Sequence, residues 1–386
     1  MIDKALRGDT QYWRWISFLA LLAVLGLIAY LWQFGADVDY SGLSQEVPWG
    51  LFIVNYAFLV GIATSVAVVL ILYKLHGQSD LEIVVPLAAF LSVGAVVSSG
   101  LFIAMDIGQP SRILNIYLHP NLTSPFVWDA IVLPVLLVLS LVVGWQFVDA
   151  KRKEMPFPSW LGMLIVALII WAIGTRTVTS LVYVGLPARP IWNSAILVPK
   201  LFASSFAVGP ALLVLLCLAV RGRSGLQIPN TAFRKLGTVT AYAVAANLLL
   251  RLVEVVQALY SGQPEILNHL KYLYIGIEGQ YGLAICSWLS IAATIVAFGS
   301  LVTWLSVPSR VWLITGSVAV VVGAWIQEFS EIVGGFAPSP VGIAVGYWPT
   351  FIELGLSVSA YALGALIVVV LYNIVSRVAM DLAEQA

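Results

Sequence analysis

Charged residues are scarce in this chain. Only 10% of its 386 residues are Asp, Glu, Lys or Arg, whereas 61% are hydrophobic. A soluble globular domain has about 25% charged and about 45–50% apolar residues, so a water-soluble fold of this length could not bury so much apolar surface. The formal net charge is +0, which gives no basic bias towards a nucleic-acid partner. The composition therefore predicts an integral membrane protein whose solvent is the lipid bilayer.

Cysteine and histidine are also scarce. The two cysteines, Cys217 and Cys286, both fall in apolar runs, and an iron–sulfur cluster or a zinc site takes about four ligands. We interpret both as small buried hydrophobic residues. The three histidines, His76, His119 and His269, lie outside the centres of the apolar runs, whereas a bis-histidine haem needs imidazoles that face each other from within helices. The sequence predicts no haem, no iron–sulfur cluster and no metal site in this chain.

Long apolar runs make up most of the sequence. A transmembrane helix needs about 20 mainly apolar residues. Ten runs meet this length, near residues 14–34, 49–74, 82–105, 126–148, 159–183, 196–220, 235–260, 281–305, 310–333 and 350–376. The intervals between them carry glycine, proline and charged residues typical of turns. We therefore predict an all-α integral membrane protein of about ten transmembrane helices, with one polytopic membrane domain over residues 1–386.

The basic residues are distributed unequally between the two sides that these spans define. With a cytoplasmic N-terminus, one side holds Lys4, Arg7, Arg14, Lys74, Lys151, Arg152, Lys153, Arg221, Arg223, Arg234, Lys235, Arg310 and Arg377. The opposite side holds only Arg112, Arg189, Lys200 and Lys271. The positive-inside rule then predicts that both termini are cytoplasmic and that the longer loops, 35–48, 106–125, 184–195, 261–280 and 334–349, face outwards.

Few ionisable residues lie at membrane depth, where each costs roughly 2.5–3.5 kcal/mol and therefore suggests a function. They are Asp106, Asp129, Arg176, Arg251, Glu254, Glu328, Glu331 and Glu353. Each comes late in an odd-numbered span or early in an even-numbered one, so all should lie in the outer half of the membrane. Carboxylates beside an apolar pocket suit proton exchange with a quinol or binding of a cation.

Structural roles are the alternative for several of these residues. Asp129 and Glu353 lie at predicted helix N-termini, where the helix dipole favours an anion. Arg251 and Glu254 are three residues apart on one helix face and could form a buried ion pair. Tryptophans near predicted helix ends should anchor the protein at the membrane interface. These are Trp13, Trp15, Trp32, Trp49, Trp128, Trp160, Trp192 and Trp348.

The segment from Asp106 to Arg112 reads D-I-G-Q-P-S-R. It resembles the D-L-G-x-P-x-R motif of the NrfD family, the membrane subunits of polysulfide reductase and related quinone-linked complexes. Trp49-Gly50, Trp128-Asp129 and the stretches 334–340 and 347–353 agree with that resemblance. Within the family, segments 5–8, 12–13, 177–179 and 184–187 are similar to DsrP, a subunit of the Dsr transmembrane complex of sulfur metabolism. The resemblance covers essentially the whole chain.

The resemblance implies two four-helix bundles, over 49–183 and 196–333, with flanking helices 14–34 and 350–376. It implies a quinone-interacting subunit of a respiratory redox complex of sulfite or sulfate metabolism in the cytoplasmic membrane. A quinone, which we expect to be menaquinone, would bind near the outer face. Electrons would pass between it and a periplasmic ferredoxin-like iron–sulfur subunit. Other membrane, cytochrome and cytoplasmic subunits would complete the complex.

By position, Asp106, Arg112 and Asp129 match the family motif. Arg176 stands where related proteins often have a histidine, and a guanidinium cannot relay a proton near neutral pH. Either the proton task has moved to a carboxylate such as Glu254, or Arg176 only binds a quinone carbonyl. The expected catalytic residues are Asp106, Asp129 and Glu254. The expected quinone-binding residues are Asp106, Arg112, Asp129, Arg176, Glu254 and Glu331.

Two other functions stay open at this point. A secondary transporter or ion channel would also have charges within the membrane, although transporters usually bind substrate near the midplane at broken helices. A structural membrane anchor for redox subunits would need no cofactor of its own.

Overall fold

Ten long helices make up most of the part of the chain that the structure describes. The computed structural model describes residues 2–36, 41–186, 188–189, 191–224, 226–277, 279–336 and 346–385. Ten helices in this part are long and apolar enough to cross a membrane, which confirms the predicted all-α membrane fold. They are α1 (Thr10–Ala36), α2 (Leu51–Leu75), α3 (Val84–Asp106), α4 (Pro125–Lys153), α5 (Leu161–Val184), α6 (Leu197–Ser224), α7 (Asn230–Ser261), α8 (Gly282–Ser306), α9 (Arg310–Gly334) and α10 (Phe351–Gln385).

Some helices continue beyond the apolar runs that predicted them. Helix α4 extends from the predicted end at 148 to Lys153. Its last turn is basic, and cations near a helix C-terminus interact favourably with the helix dipole. Helix α7 begins at Asn230, before the predicted start at 235. A hydropathy criterion ends a helix where charge begins, whereas backbone hydrogen bonding continues into the polar boundary of the membrane.

The helices pack in two sets. Helices α2, α3, α4 and α5 contact one another in sequence, and so do α6, α7, α8 and α9. Helix α2 also packs against α6 and α9, so it joins the two sets. Helix α10 lies against α3 and α1, and α1 packs mainly on α10. The division into two four-helix bundles, over 49–183 and 196–333, stays a proposal.

Helix α2 is the most enclosed of the ten, and it is interrupted. An α-helical part over Leu51–Thr64 ends at Ser65, a second part covers Val66–Leu70, and a π-helical turn covers Ile71–Leu75. The Ser65 hydroxyl donates to the Ile62 carbonyl at 2.6 Å. A Cβ atom on Gly209 of α6 would lie only 1.6 Å from the Ser65 oxygen. The glycine therefore allows α2 and α6 to approach each other closely where the two sets meet.

The helix ends define two ends of the molecule. Lys4 pairs with Asp381, and we call the end where they lie the termini end. At the other end, the Tyr30 hydroxyl of α1 donates to the Ala104 carbonyl of α3 at 2.9 Å, close to Asp106. We call this the motif end.

Two of the predicted loops at the motif end contain short helices. The segment 106–125 includes a 3-10 turn at Pro110–Arg112 and a helix at Asn115–Leu118, and 261–280 includes a helix at Pro264–Tyr274. His269 lies in this last helix, between the two spans as predicted, but it is buried. Residues 37–40, in a predicted outer loop, lie outside the described residues, and so do Pro187 and residues 337–340, which carry part of the family resemblance.

The cysteines and the other two histidines do not gather at one place. Cys217 is buried, as expected, and Cys286 is half-buried. His76 and His119 are exposed. Among the described residues, no three His, Cys, Asp or Glu side chains are grouped as ligands of one metal ion.

The tryptophans divide into exposed and enclosed residues. Trp192 exposes 2% of its surface, so the half-wet anchoring role predicted for it is wrong. It stacks on Trp49, with ring centroids 5.5 Å apart, and its indole donates to the Glu331 carbonyl at 3.0 Å. Trp49 is half-buried. The exposed ones, as expected for anchors, are Trp13, Trp15, Trp32, Trp128, Trp160 and Trp348.

Candidate functional site

Asp129 joins three helices at the motif end. It lies in the second turn of α4, which begins with Pro125 at a position where proline is favoured. Its carboxylate is buried and accepts hydrogen bonds from the Tyr56 hydroxyl of α2 and, at 2.7 Å, from the Thr179 hydroxyl of α5. The helix dipole favours an anion at this N-terminal position. Each carboxylate oxygen therefore has a protein donor.

Arg176 is completely buried, about two turns before the end of α5. Its guanidinium lies 2.9 Å from Glu328 of α9. It also donates to the carbonyls of Ala57 at 3.2 Å and Leu201 at 3.3 Å. A planar guanidinium presents five N–H donors in a fixed fork, so it can donate to acceptors on several helices at once. These donors are directed at protein acceptors, an arrangement that favours a role in holding α2, α5, α6 and α9 together.

Lys200 is an intramembrane cation, although its grouping with the outer-loop basic residues predicted otherwise. That prediction was wrong, because Lys200 lies in the first turn of α6 and exposes 2% of its surface. Its ammonium nitrogen is 2.7 Å from both carboxylate oxygens of Glu254 and 3.2 Å from Glu331. The sequence could have shown this, because residue 200 falls inside the predicted span 196–220. Lys200 places a positive charge between two of the predicted site carboxylates.

Arg251 does not form the ion pair with Glu254 that was considered from the sequence. Its guanidinium donates to the Ser290 hydroxyl at 2.8 Å, and Nη1 is buried with no partner among the described residues. Glu331 also accepts a hydrogen bond from Gln327 at 2.8 Å. We call Lys200, Arg251, Glu254, Gln327 and Glu331 the Lys200 cluster.

A small cavity lies within the Lys200 cluster. Its volume is about 30 Å³, and its lining includes Trp192 and Tyr274 besides the members of the cluster. A space of this size accommodates about one water molecule. It is too small for a quinone ring, so in this conformation the Lys200 cluster offers polar groups without room for a large ligand.

Asp106 is the last residue of α3 and is half-buried. Its Oδ1 atom is enclosed by protein, yet it has no hydrogen-bond partner in the described part of the chain. The next acidic residue at this end, Glu353 of α10, is fully engaged. It accepts hydrogen bonds from the Tyr347 hydroxyl at 2.9 Å and from the Thr350 amide at 2.7 Å. Burial raises the pKa of Tyr347 above its usual range, so the phenol keeps its proton and acts as a donor.

The remaining motif residues surround the end of α3. Gly108 has a φ of +67°, which explains why glycine follows Asp106 at this spacing. Arg112 lies in the 3-10 turn, is exposed, and makes no side-chain hydrogen bond or ion pair among the described residues. The structure therefore does not bring Arg112 together with the buried carboxylates.

The predicted polar region consists of separate groups at the motif end. Asp129 and the Arg176–Glu328 pair lie where α2, α5 and α9 meet, and the Lys200 cluster lies between α6, α7 and α9. Glu328 and Glu331, one turn apart on α9, belong to different ion pairs. Sequence reasoning also missed Asn55, which accepts hydrogen bonds from Trp325 at 2.8 Å and Tyr361 at 3.0 Å. An amide side chain alone within an apolar run was the feature of the sequence that could have identified Asn55.

Comparison with known proteins gives three similar membrane-complex subunits. A putative dimethyl sulfoxide reductase membrane subunit of Halobacterium salinarum is 23% identical, covering 92% of this chain and 89% of that protein. The Hdr-like menaquinol oxidoreductase integral membrane subunit of Archaeoglobus fulgidus is 25% identical, covering 55% of this chain and 52% of that protein. A selenate reductase subunit of Mesobacillus selenatarsenatis is 21% identical, covering 64% of this chain and 65% of that protein.

The family profile described as polysulphide reductase, NrfD, matches residues 39–337. This range is more than half of the chain, and it includes the D-I-G-Q-P-S-R segment and every helix from α2 to α9. The helices that carry Asp106, Asp129, Arg176, Lys200 and Glu254 therefore all lie inside the match. The chain belongs to the NrfD family of membrane subunits.

Proposed function

We propose that this chain is the quinone-interacting membrane subunit of a respiratory redox complex, and that it exchanges electrons between a menaquinone pool and an iron–sulfur partner. The family and the names of its relatives support this, since one is named a menaquinol oxidoreductase subunit and two are subunits of reductases. The segments similar to DsrP support a complex of sulfite or sulfate metabolism.

The proposed orientation has both termini in the cytoplasm and the motif end at the outer face of the cytoplasmic membrane. The unequal distribution of basic residues supports it. The iron–sulfur partner then docks on the periplasmic side, at the end where the buried carboxylates lie. Further cytochrome, membrane and cytoplasmic subunits complete the complex.

The observation that carries the proposal is the unsatisfied oxygen of Asp106. A buried carboxylate oxygen without a donor costs about 1–3 kcal/mol or more, so such atoms call for an explanation. A quinol hydroxyl is a donor of the right kind for this oxygen. Asp106 also begins the family motif at the boundary of α3, where a lipid-soluble ligand could reach it from the bilayer.

A bound quinol supplies two electrons and two protons when it is oxidised. Asp106 would accept a hydrogen bond and then a proton from one hydroxyl. Asp129 is the second proposed proton acceptor, and Tyr56 would have to release its hydrogen bond for Asp129 to act. Glu254 is the third proposed proton acceptor and Glu331 a proposed quinone-binding residue, and both would have to loosen their ion pairs with Lys200 to act. Arg176 would stabilise the surrounding helices, and the exposed Arg112 would lie near the docking surface.

Quinol binding by the purified complex tests the proposal. The assay is quenching of a fluorescent quinol analogue, together with the quinone content of the preparation, for wild type and Asp106→Asn. The expected result is at least tenfold weaker binding in Asp106→Asn, because a neutral amide oxygen replaces the carboxylate that accepts a charge-assisted hydrogen bond. Glu46→Gln is the matched control, because Glu46 is an exposed acid in the loop before α2 and its substitution removes the same charge.

The outcomes separate the proposed function from the alternatives. Loss of quinol binding in Asp106→Asn, with the iron–sulfur partner still attached, supports the quinone site. Absence of quinone and of quenching in the intact wild-type complex would leave the chain as a structural anchor. Substrate uptake by proteoliposomes that contain no redox partner would favour a transporter instead.

A further inference from the structure

A groove lies at the termini end, away from the carboxylates of the motif end. Helices α1, α6 and α10 line it, and its volume is about 540 Å³, within the range of sites that take small organic ligands. Its walls are largely apolar and include Leu19, Leu216 and Val369. Helix α1 is the least enclosed of the ten helices, and Trp15 in the groove lining exposes 41% of its surface. The groove is therefore open along the side of the helix bundle, where lipid chains lie.

One end of the groove is polar and basic. Arg377 of α10 lines it, and the guanidinium Nε atom is buried without a hydrogen-bond partner in the described residues. Asn373, one turn earlier, fixes the N-terminal segment by donating to the carbonyls of Lys4 at 3.2 Å and Arg7 at 3.0 Å. These contacts bring additional basic residues to the same end of the groove.

The two acidic residues described beside this end of the groove are already engaged. Asp9 lines the groove, and its carboxylate accepts a hydrogen bond from the Tyr12 amide at 2.8 Å, as a cap at the start of α1. Asp381 pairs with Lys4. Arg377 is therefore left as a cation at the border between an apolar channel and the polar boundary of the membrane. This arrangement complements a ligand with an anionic head and apolar tails.

We propose that this groove binds an anionic phospholipid, with the phosphate at Arg377 and an acyl chain along α1, α6 and α10. Arginine forms strong charge-assisted hydrogen bonds to phosphate oxygens. Basic pockets between transmembrane helices attract acidic lipid headgroups. The bound lipid would fill the space between α1 and α6 and hold α1 against the bundle.

Thermal unfolding of the purified full chain in a neutral detergent tests the assignment. The probes, added separately, are dioleoylphosphatidylglycerol, dioleoylphosphatidylcholine, inorganic phosphate and a short-chain quinone. Phosphatidylglycerol should raise the unfolding midpoint of the wild type, whereas phosphatidylcholine and inorganic phosphate should not. In Arg377→Gln, about tenfold more phosphatidylglycerol should be needed for the same shift, since a hydrogen bond to a charged group is lost.

Two further variants sharpen the test. Arg14→Gln is the matched control, because Arg14 is an exposed cation of α1 that does not line the groove, and it should retain the wild-type response. Ala365→Phe fills the apolar wall without removing a charge and should also weaken the effect of phosphatidylglycerol. It keeps the proposal testable if Arg377→Gln does not fold.

Three results would overturn the assignment. Equal shifts with phosphatidylcholine would mean that the anionic head is not recognised. A shift with inorganic phosphate alone would indicate a free-anion site. A shift with the quinone, lost in Arg377→Gln and absent with phosphatidylglycerol, would identify a quinone site in place of the lipid. None of these outcomes depends on the quinone site proposed at Asp106.

Discussion

Replacing Lys200 by methionine removes the cation that neutralises two carboxylates while keeping the length of the side chain. Lys200 is 2% exposed, with its nitrogen 2.7 Å from Glu254 and 3.2 Å from Glu331. Removing one partner of a buried ion pair typically costs about 3–5 kcal/mol, because the remaining charge is left uncompensated. We expect Lys200→Met to lower the free energy of unfolding by that amount.

The assay is unfolding of the detergent-solubilised protein by increasing fractions of sodium dodecyl sulfate, followed by circular dichroism. Lys235→Met is the matched control, because Lys235 pairs with Asp80 at the termini end and both side chains are about a quarter exposed. Partly exposed pairs contribute about 1 kcal/mol or less. The control should therefore lose much less stability than Lys200→Met.

A compensating variant tests the physical reason. Adding Glu254→Gln and Glu331→Gln to Lys200→Met removes the uncompensated charges, so most of the lost stability should return. Equal losses for Lys200→Met and Lys235→Met would refute the reasoning. A further loss in the triple variant would do the same, since the ion pairs would then not be the origin of the effect.

Two other predictions concern burial and close packing. Burial, with smaller contributions from Arg189 and Lys200, lowers the pKa of His269 from 6.5 to about 3. As the pH falls, the unfolded chain therefore takes up a proton on this histidine before the folded protein does. The free energy of unfolding should be highest above pH 6.5 and should decline as the pH falls towards 3. The measurement is the unfolding midpoint as a function of pH. His269→Gln should reduce the decline, whereas the control His76→Gln, at an exposed position, should show the wild-type decline. Equal slopes of midpoint against pH in wild type and His269→Gln would contradict the assignment. Gly209→Ala should destabilise the protein by about 1–3 kcal/mol through its clash with Ser65, whereas Gly299→Ala has open space around the new Cβ atom and should be neutral or stabilising in the same unfolding assay.

The helix content followed from local properties of the sequence. A run of about 20 apolar residues predicts a spanning helix wherever it occurs, so all ten were found. The alternation of outward and inward spans also predicted that the ionisable residues lie towards one end of the helices, and Asp106, Asp129 and Glu353 lie in the first or last two turns of theirs. The turn at Gly108 could be predicted for the same reason, because a turn depends on residues that are neighbours in the sequence.

The arrangement of the site did not follow from local properties. Arg251 and Glu254 are close in sequence, yet Glu254 pairs with Lys200 from another helix. Glu328 and Glu331 share a helix and belong to different ion pairs. Spacing along one helix gives the face on which a side chain lies, but it does not give the helix that this face contacts.

By itself, the sequence determined that the chain is a ten-helix membrane protein with its buried charges towards one end, because membrane insertion depends on the length and polarity of each segment. Only the tertiary structure decided which charges neutralise each other and which stay available. Helix packing brings Lys200 to Glu254 and Glu331, and Arg176 to Glu328, while Asp106 keeps an enclosed oxygen without a donor among the described residues. These pairings depend on contacts between helices far apart in the sequence, where the cost of burying a charge is offset only by a partner on a neighbouring helix.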